Sequence, residues 1–436
     1  MNFINVKNIT IIGAGASGLA AACAAAGAGE RVTLVEKNQA PGRKILSTGA
    51  GKCNLSNAKI NAGHYHGGAP GFAARTLKAL PPAHVLDFFG ELGLLLSAEA
   101  DGRIFPRSRK AADVVNVLGN RLKEKGAELL LLTCAQSVKK NLSGFEITVR
   151  RVPPKWDKKA APGPLRTITA DAVILAAGGP AHPQIGGSAL GLDLARSLGH
   201  TVKNPKPVIT PLKIKEKTVR ELDGIRLEAG LSVYSGGRLI GSKRGELLFT
   251  DYGVSGPPVL SLSRAALTGV ETSAVTCHID LFPDYSREAI FSLLAKRRDA
   301  GPERPWKDFL CGLAEERTIN LLSSSLKIEP AAPAGSVKDP LLAEFGGLLK
   351  DWSLEVSGSL GFEDAMAAAG GIDTAEIRPE TFESRIVKKL FITGELLDIN
   401  GDCGGYNLHF AWTSGLLAGA AAAKTMSFPS SFSPQP

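Results

Sequence analysis

The sequence predicts an α/β chain in which a Rossmann-like parallel-sheet domain is split by an inserted domain, a small β-barrel followed by helices. Three observations carry this. Apolar, β-branched runs at Val6 to Ile12, Arg31 to Val35 and Ala172 to Ala177 read as strands buried on both faces of a parallel sheet. An alanine-rich stretch, Leu19 to Ala28, reads as a helix joining the first two. From about Val208 the pattern becomes short β-like runs broken by Pro, Gly and charges, as in an antiparallel barrel.

Composition agrees. At roughly 150 residues per domain, 436 residues suggest two or three units. Hydrophobic residues at 44% and charged residues at 21% describe a soluble globular chain and exclude a disordered or fibrous one. The 49 glycines and 6% aromatics suit helices packed closely on a sheet. The cysteines at 23, 53, 134, 277, 311 and 403 form no CxxC pair, so neither a metal site nor a disulfide framework is expected. Residues 9–29 carry no charge, but glycines interrupt them and no basic segment leads in. Neither a signal peptide nor a membrane span is expected there, and a cytoplasmic location is.

The net charge of +9 is uneven. Residues 1–204 carry 26 Lys and Arg against 13 Asp and Glu, whereas 205–365 and 366–436 each net −2. A positive field over the first part would draw a phosphate-bearing cofactor or a polyanion such as RNA. Solvated surface lysines are the plainer reading.

In chain order, the first strand runs straight into Gly13-Ala14-Gly15-Ala16-Ser17-Gly18 and the helix. Gly13 permits the tight turn, Gly15 lets the backbone approach a pyrophosphate, and Gly18 lets helix and strand close up. The anion rests on the free N–H groups of the helix N-terminus. Glu36 closes the second strand, where a carboxylate accepts from ribose hydroxyls and repels a 2′-phosphate; the nucleotide is then of FAD or NAD type, not NADP. The glycine-rich basic loop at 41–54 can wrap phosphates or be a plain surface loop. Arg103, Arg107, Arg109 and Lys110 are either phosphate grips or a solvated lead-in to an amphipathic helix at 111–126.

A strand is expected over Glu128 to Cys134, then antiparallel strands at Phe145–Arg151 and Leu165–Asp171 joined by the Lys/Pro-rich loop 152–164. The strand at 172–177 ends in Gly178-Gly179. No second GxGxxG follows, so a second dinucleotide domain is not expected. Barrel strands are read at Leu212–Ile214, Leu231–Tyr234, Leu239–Ile240, Glu246–Phe249 and Ala274–Leu281, and helices over 286–324 and 339–352. Leu390 to Thr393 returns to a buried strand. Gly394-Glu395, the turn at 400–405 and an Ala/Gly-rich helix from Tyr406 to Thr425 follow. The cofactor domain is thus 1–204 with 366–436, the insertion 205–365, and the tail at 427–436 is expected to be disordered.

These motifs resemble the BaiN/RdsA-type flavoproteins, two-dinucleotide-like FAD enzymes with an inserted domain. Beyond Gly13–Gly18 and Glu36, the resemblance rests on GRKILSTGAGKCNLSN at 42–57, GRIFPRS at 102–108 and LAAGGPAHP at 175–183. GELLFTDYGVSGPPVL at 245–260 and ITGELLDINGDCGGYNLHFAWTSG at 392–415 complete it. It spans almost the whole chain. It implies bound FAD and, for some members, reduction of conjugated C=C bonds in steroid-like acids or in a uridine of ribosomal RNA. By the same resemblance Gly13, Gly15, Ala16, Ser17, Gly18, Glu36 and Lys37 hold the ADP half. Arg43, Lys44, Gly51, Cys53, Asn54 and Gly178 lie along the pyrophosphate and flavin, and Gly394 and Glu395 meet the ribityl chain. Gly404, Gly405, Tyr406 and Asn407 open the last helix toward the flavin pyrimidine, where its dipole favours charge on the reduced ring.

The flavin carries the redox step and the protein orients it. For an enone, hydride adds at the β-carbon and a protein acid protonates the α-carbon. Cys403 and Cys53 are the first candidates for that acid, then Tyr406 and His409. A cysteine near a helix N-terminus is expected to have a lowered pKa; the plainer reading is a small residue tolerated in a tight loop. His182 and His200 are expected to be structural. The leading function is an FAD-dependent reductase of an activated C=C bond using NAD(P)H, with dihydrouridine formation in 23S ribosomal RNA as one version. The few aromatics weigh against base stacking in that version. The alternatives are a flavin oxidase or dehydrogenase of a small amine or acid, and a non-catalytic RNA-associated flavoprotein. No membrane partner is expected, and the sequence is silent on oligomeric state.

Overall fold

A strand buried on both faces needs apolar side chains along its whole length. In the computed structural model, which describes residues 6–154, 157 and 159–424, strand β1 (Asn8–Ile12) meets that need, with Ile9, Thr10, Ile11 and Ile12 all buried. It is the central strand of a five-stranded sheet. β2 (Arg31–Val35) and then Glu128–Leu130 lie to one side, Ala172–Leu175 and then Leu390–Ile392 to the other. Every pairing is parallel, and Ile9 stands between Val32 and Ala172. Full burial of such a side chain contributes about 1.5–3 kcal/mol. The sheet takes strands from both ends of the chain, and the unit that holds it comprises residues 1–206 and 366–436.

Helix α1 (Ala16–Gly27) covers this sheet and packs against the last helix, Tyr406–Ala423. The two approach almost backbone to backbone. A Cβ on Gly415 would lie 2.2 Å from the Ser17 carbonyl oxygen, and one on Gly419 2.3 Å from that of Ala21. One helical turn separates each pair, so glycine and alanine on facing stripes set the distance between helices.

Two sequence expectations are corrected in this unit. The run Glu128 to Cys134 is two strands: Glu128–Leu130 stays in the parallel sheet, while Thr133–Lys140 pairs antiparallel with Phe145–Arg151. The chain turns at Leu132, which has φ of +51°. Four consecutive leucines look alike to a hydrophobicity pattern whether or not the backbone turns within them. The loop at 41–54 also holds a short helix, Arg43–Ser47, launched by Gly42 at φ +69°. Phe145–Arg151 and Leu165–Ala170 pair as expected; residues 155, 156 and 158 of the loop between them, like the tail at 427–436, lie outside the described residues.

The other unit, residues 207–365, contains a closed barrel with strands in the order Leu212–Ile214, Gly253–Ser255, Arg238–Thr250, Arg226–Ser235, Val275–Asp280 and Trp352–Ser359. The runs read at 239–240 and 246–249 are parts of one strand. The helix expected over 339–352 ends at Lys350, and the barrel is closed by the strand that follows. There Trp352, Leu354 and Val356 point inward at every second position, and Trp352 stacks on Phe249. Closure removes the open edges that short strands would otherwise expose. Helices Pro257–Val270, Arg287–Asp299, Trp306–Leu310, Glu316–Ser325 and Asp339–Lys350 complete the unit, the first of them unforeseen. Among the described residues no helix is long and apolar enough to cross a membrane.

Candidate functional site

The turn after β1 is built from contacts that only glycine allows. Gly13 has φ of +106°, and a Cβ there would lie 2.5 Å from the Ala176 carbonyl oxygen; one on Gly18 would lie 1.9 Å from that of Gly13. Gly15 is different. It is the N-cap of α1, no side chain caps that helix, and nothing lies within 4 Å of where its Cβ would be. An open face in front of uncapped N–H groups at Ala16, Ser17 and Gly18 is a cradle for a phosphate.

Glu36 is buried at the end of β2. Its carboxylate accepts from the Ala14 N–H at 2.8 Å, and from the backbone and side-chain N–H groups of Asn38 at 2.8 and 2.7 Å. Three bonds leave one of its roughly four acceptor sites for a ribose hydroxyl. Asn38 also accepts from Arg43 at 3.2 Å, and the Gly42 N–H donates to the Ala14 carbonyl at 2.8 Å. The basic loop is thereby fastened to the glycine turn. Lys37 is half-buried beside Cys134.

The second half of the site comes from beyond the insertion. Lys44 pairs with Glu395 at 2.5 Å, and Glu395 packs on Gly179 and accepts from the Ala368 N–H at 3.1 Å. Gly394, with φ of +65°, donates to Ser414 Oγ on the last helix; a Cβ on it would meet Ser17 Oγ of α1 at 2.7 Å. Gly178 has φ of +73° with open space beside it. Glu36, Arg43 through Asn38, and Gly394 are thus tied to the glycine turn or to α1.

The last helix starts at Gly405, φ +98°, with no side-chain cap. Its position is set by the segment at 51–57. The Asn54 amide, turned to satisfy both its groups, donates to the Ser56 carbonyl and accepts from the Gly405 N–H. Asn57 donates to the Gly404 carbonyl at 2.9 Å, Trp412 donates to that of Leu55 at 3.1 Å, and Ser56 Oγ meets His409 Nδ1 at 2.9 Å. Gly51 accepts from the Ala111 N–H at 2.8 Å, anchoring the loop on the other side. Asn407 turns back to bond both the N–H and the carbonyl of Gly401. Two uncapped helix N-termini, an acceptor for ribose and a glycine-lined floor fit FAD.

The candidate acids separate here. Cys53 is fully buried, and burial pushes its thiol up to about 12 despite a hydrogen bond with Thr48. His409 is fully buried, and burial pushes it down to about 4, so at neutral pH it carries no proton beyond that of neutral imidazole. Both side chains are fully buried, and Tyr406 is buried as well, at 5% exposure. Cys403 is half-buried; burial raises its thiol, Arg103 lowers it and Asp402 raises it, the net being upward. The direction is opposite to the lowered thiol expected from the helix N-terminus, with loss of hydration the largest cause. Tyr406 is raised by burial and then by Asp402 and Asp101. His200 bonds Glu376 at 2.8 Å and Ser384 at 3.0 Å, so both ring nitrogens are satisfied. His182 shares a 3.2 Å contact with Gln184.

Sequence reasoning missed one cluster. β3 (Ser56–Asn57) is followed by β4 (Tyr65–Gly67), which pairs antiparallel with Ile399–Gly401. This brings His64 Nδ1 to 2.9 Å from Asp402 Oδ2 and His66 Nε2 to 2.6 Å from Oδ1. His64 also stacks on Tyr406, ring centroids 4.3 Å apart at 27°. Burial works against charge on Asp402, but the bonds from His66 and His64 outweigh it and hold the carboxyl below its ordinary value. The signal was His-Tyr-His: alternate residues of an extended chain share a face.

The model of the HI0933-like protein Rossmann domain matches residues 7–421. The chain belongs to the HI0933-like family. Similar curated proteins include a 3-dehydro-bile acid delta(4,6)-reductase from Clostridium scindens, 35% identical over 96% of this chain and 100% of that protein. A ribosomal RNA dihydrouridine synthase from Escherichia coli is 29% identical over 93% of this chain and 95% of its own. Among solved structures, a 3-ketosteroid-delta4-(5alpha)-dehydrogenase from Rhodococcus jostii aligns with a TM-score of 0.47 and 13% identity, over 97% of this chain and 99% of that one. This HI0933-like protein is an oxidoreductase of the flavoprotein type, the family its motifs point to.

Proposed function

We propose that the protein uses FAD, reduced by NADH or NADPH, to reduce a carbon–carbon double bond conjugated to a carbonyl. The observation that carries this reading is the rim of the last helix, where Tyr406 and Cys403 stand at an uncapped N-terminus. Bound FAD supplies hydride to the β-carbon of such a bond. The α-carbon then needs a proton, and a donor must hold its proton at working pH. Tyr406 and Cys403 do, because burial raises both. The free N–H groups of the helix favour negative charge at the same place. The resemblance over the whole length to a bile-acid reductase supports a steroid-like acid as the substrate. The six free cysteines suit a reducing cytoplasm.

A uridine of ribosomal RNA is the second reading, favoured by the charge of residues 1–204, 26 Lys and Arg against 13 Asp and Glu. Not all of that charge is available: Arg103 pairs with Glu99 and Asp101, and Arg109 with Glu99. Arg107 and Lys110 are exposed. The test is the anaerobic visible spectrum of the purified protein. Bleaching by NADH or NADPH, and recovery on adding a 3-oxo-4-ene steroid acid, is the expected result. Recovery only with uridine-containing ribosomal RNA selects the second reading. Anaerobic bleaching by a small amine or acid, followed by oxygen consumption once air is admitted, would replace both with an oxidase.

A further inference from the structure

We propose that the α-carbon proton comes from His64, aimed by Asp402, in place of Tyr406 and Cys403, and that His66 completes a two-histidine clasp on the same carboxylate. The proposal deepens the reading above and rests on the rim of the last helix as the place where substrate meets cofactor. Asp402 leaves the Ile399–Gly401 strand one residue before Cys403, and its N–H donates to the His64 carbonyl at 2.9 Å. Its two carboxylate oxygens are then divided, Oδ2 to His64 Nδ1 and Oδ1 to His66 Nε2. Each bond fixes a tautomer. His64 gives its Nδ1–H to Asp402 and keeps Nε2 for another partner; His66 gives its Nε2–H and keeps Nδ1.

Neither remaining nitrogen has a partner among the described residues, and the side chains are 31% and 26% exposed, enough for a substrate or water to reach them. A carboxylate holding one imidazole nitrogen while the other faces outward is the arrangement that acid–base histidines share. It is not a metal set, since no group of three or more His, Cys, Asp or Glu among the described residues is disposed to hold one. Stacking places His64 against Tyr406, the first residue of the last helix. Asp101 acts on the neighbouring Tyr406 and Arg103 on Cys403, and the two bond each other at 2.7 Å. In the reaction Nε2 of the neutral His64 first takes a proton from water while Nδ1–H stays on Asp402, and that new Nε2–H bond then breaks as the α-carbon–hydrogen bond forms. The imidazole left behind is neutral, with Nδ1–H still on Asp402, and water returns the proton.

The test begins with nitrogen-15 spectra of the histidine rings. Opposite neutral tautomers for His64 and His66, both lost in Asp402→Asn, are expected; a shared tautomer overturns the clasp. This measurement does not depend on the reaction. His64→Asn comes next, because its side-chain amide can keep the bond to Asp402 while lacking Nε2. It should retain FAD and bleach with donor as the wild type does, yet return electrons to a 3-oxo-4-ene steroid acid at least tenfold more slowly, with added imidazole restoring the rate. Unchanged reoxidation, or a loss that imidazole does not restore in a variant that keeps FAD, overturns the donor role alone. A wild-type protein whose reduced flavin no enone reoxidises overturns the donor role together with the reading above.

Discussion

Glu36 serves two purposes with one carboxylate. It satisfies the N–H groups of Ala14 and Asn38, and we propose that its remaining acceptor site takes the cofactor ribose. Glu36→Ala therefore removes a ribose acceptor and strands buried donors in the same stroke, at a cost of about 1–3 kcal/mol per donor. The purified variant should lose most of its FAD, read from the ratio of visible to ultraviolet absorbance; full occupancy would contradict the placement of the nucleotide. Asp402 gives a pH prediction with a definite sign. Its carboxyl is held below the ordinary value, so its contribution to the native state is complete above the unfolded value of about 3.9 and fades as pH falls through the lower folded one. Wild type and Asp402→Asn should differ in denaturant midpoint throughout the neutral range and converge only in strong acid. Convergence near pH 6 would mean that the clasp does not form.

At the scale of elements, the pairing of α1 with the last helix decides whether the site exists. Gly415 and Gly419 admit the α1 backbone where any side chain would strike a carbonyl oxygen. Gly415→Val should force the helices apart and destabilise the protein by about 1–3 kcal/mol, the usual cost of overpacking. FAD affinity should fall with it, because Ser17 and Gly394 meet across the same seam. A fluorescence-monitored urea titration with an unshifted midpoint would refute this. The barrel makes a related point: its closing strand alternates Trp352, Leu354 and Val356 inward. The helix reading over 339–352 takes in only Trp352 and leaves the alternation at 354 and 356 unassigned, since element boundaries are where propensity says least.

Over the whole molecule, the first 204 residues carry the basic excess while the other segments are slightly acidic. Charge of this kind acts at long range and is screened by salt. Affinity for a ribosomal RNA fragment, if RNA is the substrate, should fall steeply between about 50 and 200 mM salt, while bleaching by a small donor changes little; a flat RNA profile, measured by anisotropy, would remove the electrostatic argument for that substrate. The sequence by itself determined the sheet's central strands, the glycine turn with Glu36, the helix that opens at Gly405 and the presence of an inserted barrel. Each of these follows from sterics or periodicity within a few residues along the chain. Tertiary structure alone decided that Lys44 reaches Glu395, that Asn54 meets Gly405, that burial raises Cys403, and that His64 and His66 share Asp402. Those pairs stand more than 300 residues apart, with |i−j| of 351 for Lys44 and Glu395 and 338 for His64 and Asp402. No local pattern records such a meeting: it is set by where the sheet and the helix seam carry the two halves of a divided domain.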